Sequence, residues 1–96
     1  EEFEWLTEGQ RARISARFHI EDLAQRLEIE IDESEFEGVD TVGGLMAKAL
    51  GRVPIPGSSM AFDGWQLTAE RPVGRRHRIA TYLAQRAADT TAQIEV

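Results

Sequence analysis

A glycine pair, a run of carboxylates and a cluster of arginines are the residues of this 96-residue chain whose types and spacing could do chemistry. Thr41-Val42-Gly43-Gly44 puts both glycines in the first turn of a predicted helix. Backbone N–H groups at such an end hold anions, and glycine lets a ligand approach closely. Thr41, Gly43 and Gly44 are therefore candidate contacts for an anion such as a phosphate. The competing reading, that glycine lets the helix pack tightly on a sheet, is preferred because no GxGxxG or Walker pattern surrounds the pair. Residues 28–40 hold seven carboxylates and no base. Hard oxygen ligands suit Mg2+ or Ca2+, which makes Asp32, Glu33, Glu35 and Asp40 candidate divalent-cation ligands. The EF-hand template fails there, with Phe36 at position five and Glu37 rather than glycine at position six. A solvated loop is the plainer reading. Arginine forks suit carboxylates and phosphates, so Arg71, Arg75, Arg76 and Arg78 are candidate interface residues. Exposed charge beside a turn also protects an edge strand, which is the bland account of the same cluster.

Catalysis finds little support in these residues. The two histidines are His19, near a helix start, and His77, inside the arginine cluster. There is no cysteine, and Ser58-Ser59 lies in a turn rather than a nucleophile elbow. Acids without an enclosing cleft do not make a general acid–base couple. The 42% hydrophobic and 29% charged content is that of a globular chain rather than a disordered one. Its length suits one domain, read as residues 1–86, with 87–96 as a flexible tail. The net charge of −6 argues against nucleic-acid binding and against docking on an anionic leaflet. It is unevenly spread. Residues 1–40 hold thirteen acids and four bases (−9); residues 41–96 hold four acids and seven bases (+3). Such polarity lets an acidic and a basic surface meet, for example across a homodimer. No apolar run is long enough to span a bilayer, so no direct membrane insertion is expected. The chain opens in charged residues without a signal-peptide pattern and reads as a fragment of something longer.

The elements that position these residues follow from periodicity. Phe3 and Trp5 alternate with charged neighbours, and Ile14, Ala16 and Phe18 recur at period two within residues 12–18, predicting two strands. Ile20, Leu23, Ala24 and Leu27 form one stripe of a short helix, with Glu21 and Asp22 in its first turn. Ile29, Ile31 and Phe36 are expected to anchor the acidic stretch. Asp40 or Thr41 caps a second helix whose stripe is Val42, Leu45, Met46, Ala49 and Leu50, stopped by Gly51 and Pro54. Pro54-Ile55-Pro56-Gly57 is a rigid turn. Asp63-Gly64 between alternating runs predicts a type I′ hairpin. Residues 76–84 predict a last strand, with either Ile79, Thr81 and Leu83 or Ala80 and Tyr82 facing inward. Segregated strands and helices imply an α+β fold, a largely antiparallel sheet with two short helices on one face.

Taken in order, His19-Ile20-Glu21-Asp22-Leu23, Thr41-Val42-Gly43-Gly44-Leu45, Leu50-Gly51-Arg52-Val53-Pro54 with Gly57, the strand at 65–70 and Arg78-Ile79 resemble the CorC/HlyC transporter-associated domain. The resemblance covers residues 18–83. Ala16, where the family often has glycine, and the Glu-rich loop depart from it. The resemblance implies a fold similar to a subdomain of PCMH-type FAD-binding proteins. It implies a parent protein with CBS domains and a transmembrane region, linked to magnesium or cobalt efflux or called a haemolysin. The domain would lie on the cytoplasmic side of the plasma membrane and would not be an enzyme. Its partners would be the CBS domains, the transmembrane region or a second copy. The alternative is a sensor that binds a divalent cation, a nucleotide or FAD.

Overall fold

Asp63 and Gly64 both take positive φ, 50° and 87°, the pairing a type I′ turn requires. They join β3 (Ser59–Phe62) to β4 (Trp65–Ala69). The computed structural model describes residues 2–30, 34, 37–72 and 79–87. Its other elements are β1 (Phe3–Thr7), β2 (Arg11–Ser15), α1 (Ile20–Leu27), α2 (Val42–Leu50) and β5 (Thr81–Arg86). The strands form one sheet in the order β1-β2-β5-β4-β3, and every neighbouring pair is antiparallel. The last strand therefore lies in the middle, between the N-terminal hairpin and the 59–69 hairpin.

Alternation sorts the sheet into two faces. Phe3, Ala12, Ile14, Trp65, Leu67, Ala69, Tyr82 and Ala84 are buried on one face, against Ile20, Leu23 and Leu27 of α1 and Val42, Leu45 and Met46 of α2. The opposite face carries Arg11, Arg13, Gln66 and Gln85, all exposed. Both helices thus cover a single face, the α+β arrangement expected from the segregated pattern.

Both helices stop at a left-handed residue. Gly51 does so for α2 at φ 70° without steric cost. Glu28 does so for α1 at φ 58°, a conformation that an L side chain adopts only against strain. Thr41 caps α2, and its side chain accepts from the Gly44 N–H at 3.2 Å. His19 caps α1 with no side-chain hydrogen bond.

Three boundaries differ from expectation. β2 ends at Ser15 because the chain turns at Ala16 and Arg17; Phe18 is still buried, but from the turn. β5 begins at Thr81 and runs to Arg86 rather than over 76–84. Its inward residues are Tyr82 and Ala84, while Ile79, also buried, lies before the strand and outside its alternation. Ile29 packs partly against the core, whereas Ile31 and Phe36 lie outside the described residues, as does the tail from 88.

Candidate functional site

The glycine pair sits in a joint between the two helices. Phe18 and Ala16 end the β2 turn beside the first turn of α2. The Val42 N–H donates to the Phe18 carbonyl at 2.9 Å, the Gly43 N–H to the Ala16 carbonyl at 2.9 Å, and the Gly44 N–H to the Thr41 hydroxyl. The Ile20 N–H at the start of α1 donates to the Asp40 carbonyl at 2.9 Å. Each helix start is thereby tied to the residue two positions before the other. The first-turn donors that would cradle an anion are all taken by the chain itself. A Cβ on Gly43 would lie 3.2 Å from the Ala16 carbonyl oxygen and 3.3 Å from its Cβ, closer than ordinary packing allows. A Cβ on Gly44 would meet Val39 Cγ1 at 3.4 Å, an ordinary contact. Gly43 therefore permits close approach of the chain to itself.

The carboxylate candidates do not gather in the described part. Asp40 is exposed, and Asp32, Glu33 and Glu35 lie outside the described residues. Among the described residues no group of three or more His, Cys, Asp or Glu side chains is arranged to hold a metal ion. Of the arginine cluster, Arg71 is exposed just past β4, and Arg75, Arg76 and Arg78 lie outside the described residues.

Three arrangements escaped the sequence. On the open sheet face, Arg13 grips Glu70 through two hydrogen bonds of 2.9 and 3.2 Å, and the Thr81 hydroxyl donates to the same carboxylate at 2.7 Å. The Arg13 hydrogen bonds hold the Glu70 carboxyl below the usual carboxylate range, against the opposing effect of partial burial. The cluster ties β2 and β5 to the end of β4. Its members stand 57 and 11 residues apart, so no local signal could reveal it.

The second arrangement is aromatic. Trp5 stacks edge-on with Phe3 at 5.0 Å and tilts against Trp65 at 6.1 Å. Arg26 lies 4.9 Å over Phe3, and Arg86 4.6 Å over Trp65, with its Nε donating to the Gly9 carbonyl. An open groove of about 540 Å3 runs beside it, lined by Phe3, Glu4, Trp5 and Arg26. Trp65 and Val42 are buried in the core and do not line it. The third arrangement is the exposure of Val53 and Ile55 at the turn after α2, a turn its prolines do predict.

The result is a two-layer α+β domain whose helix starts are tied to the chain itself. The model of the CorC_HlyC transporter associated domain matches residues 7–81, and the chain belongs to that family. A UPF0053 protein from Mycobacterium tuberculosis is 45% identical over 69 residues, which is 72% of this chain but 15% of that protein. A counterpart from Mycobacterium bovis matches equally. The chain thus spans about 15% of the length of the curated relatives it matches. Among solved structures, a region named for the Mg2+ and Co2+ transporter CorC from Neisseria meningitidis superposes with a TM-score of 0.75 at 31% identity, over 91% of this chain and 100% of that one. A Xylella fastidiosa haemolysin domain in complex with Mg2+ and Mn2+ shares the fold, with a TM-score of 0.71 at 24% identity over 90% of this chain and 98% of its own.

Proposed function

We propose that the chain is a regulatory accessory domain of a larger membrane protein linked to Mg2+ or Co2+ transport. In this reading the parent carries CBS domains, and the domain acts on the cytoplasmic side of the plasma membrane through contacts with them, with the transmembrane region or with a second copy. Membership of the transporter associated family is the observation that carries the reading. The likeness to the Neisseria CorC-associated region, over that region's full length, supports it. The use of the α2 first-turn donors inside the chain also favours a role by contact over one by anion binding.

Deleting this domain from the full-length parent and following efflux of Mg2+ and Co2+ tests the proposal. Efflux or its response to intracellular cation should change while the membrane part still assembles. Unchanged transport and unchanged assembly would refute it.

A further inference from the structure

Of the three large hydrophobic residues exposed among those described, two fall within three positions: Val53 at 79% and Ile55 at 54%. They sit on a stiff turn. Pro54 and Pro56 fix φ on either side of Ile55. The Ser58 hydroxyl accepts from the Ile55 N–H at 3.1 Å, and the Ser58 N–H returns to the Ile55 carbonyl at 2.9 Å. The Gly57 N–H donates to the Ala69 carbonyl at 2.9 Å, fastening the turn beside the end of β4. Presenting these side chains therefore costs little additional ordering.

Apart from Glu70, the charged residues flanking the turn in sequence and just past β4 are basic. Arg52 precedes it, and Arg71 follows β4 at the same end of the sheet; both are exposed and have no ion pair among the described residues. Residues 41–62 contain no acid. The nearby carboxylate, Glu70, is held by Arg13 and Thr81. We propose that the turn at 53–56, flanked by Arg52 and Arg71, rests on an anionic lipid surface. Val53 and Ile55 enter the headgroup boundary while the two guanidiniums meet lipid phosphates.

The net charge of −6 argues against such docking. At physiological salt, however, charges beyond about 8 Å are largely screened, so the local end of the molecule decides. A protein partner is the less favoured occupant. A stable protein interface covers about 800 Å2 per partner, and this apolar surface is one turn between cations and serines. Weak lipid contact suffices where a tether raises the effective concentration. In that respect the inference rests on the proposed membrane-protein parent.

The test uses the isolated chain, vesicles of phosphatidylglycerol mixed with phosphatidylcholine, and a spin-labelled lipid. Amide signals of residues 52, 53, 55 and 71 should broaden selectively. Arg52→Glu or Arg71→Glu should weaken the effect at least about fivefold, from the contribution of one cation near an anionic surface. Val53→Ser with Ile55→Ser should abolish it, and both changes are at exposed positions that leave the core intact. No broadening at saturating lipid, broadening centred elsewhere, or an equal effect with pure phosphatidylcholine would overturn the proposal. So would a photoreactive side chain at position 53 of the full-length parent that joins polypeptide rather than lipid. If the vesicle result is negative while domain deletion still alters efflux, only this inference falls.

Discussion

Gly43→Ala should destabilise the domain although alanine is the better helix former. Replacing glycine inside a helix ordinarily gains about 1 kcal/mol. Here the new Cβ would stand 3.2 Å from the Ala16 carbonyl oxygen and 3.3 Å from the Ala16 Cβ. Ala16 cannot retreat freely, because its own N–H donates to the Ala80 carbonyl at 2.9 Å and its carbonyl accepts from Gly43. Overpacking of this kind costs roughly 1–3 kcal/mol. Stretching the Gly43–Ala16 hydrogen bond removes part of a further ~1 kcal/mol. The balance is a loss of about 1–2 kcal/mol. Gly44→Ala is the control: its Cβ meets Val39 and Thr41 at 3.4 and 3.5 Å, so propensity wins and stability rises by up to about 1 kcal/mol. At roughly 4–8 °C per kcal/mol for a domain of this size, thermal unfolding should separate the variants by about 10 °C. If both substitutions stabilise the chain alike, the close helix contact assigned to Gly43 is wrong.

Glu70→Gln should cost about 1 kcal/mol at neutral pH, since Arg13 is half-exposed and solvent screens the pair. The folded-state carboxyl titrates below its usual value, so its stabilisation is complete above about pH 4.3 and is lost as pH falls through the lower folded value. Urea midpoints of the two proteins should therefore differ at neutral pH and converge in acid; a constant gap would contradict the assignment. Thr41→Ala should lose about 1 kcal/mol through the α2 cap, read by the same denaturation. Glu28→Gly should gain up to about 1 kcal/mol by relieving the left-handed end of α1, and a loss would show that the Glu28 side chain matters more than its backbone.

Much of the fold is local and was legible for that reason. Asp63-Gly64 can hardly be anything but a hairpin turn, Gly51 stops α2, and Thr41 caps it, because each depends on residues within one turn of itself. What long-range pairing decides was hidden. Nothing near residues 81–86 announces that this strand slides between β2 and β4, and the alternation that misplaced its start mixed a buried pre-strand Ile79 with a true inward Tyr82. Phe18 fell on the period of β2 by coincidence, since a turn also buries it. The choice at Gly43 between admitting a ligand and admitting Ala16 turned on a neighbour 27 positions back, which sequence periodicity does not place. Arg13, Glu70 and Thr81 meet only once three strands are assembled.

The central claim is that this domain works through its surfaces rather than by binding a small molecule. Thermal unfolding of the isolated chain with Mg2+, Co2+, Mn2+, ATP, AMP and FAD tests it most directly. A ligand at a hundred times its dissociation constant stabilises a folded protein by about 2.7 kcal/mol, or roughly 10–20 °C for a domain of this size. The account predicts no saturable shift with any of the six. A saturable rise with one of them would contradict it and make the chain a sensor.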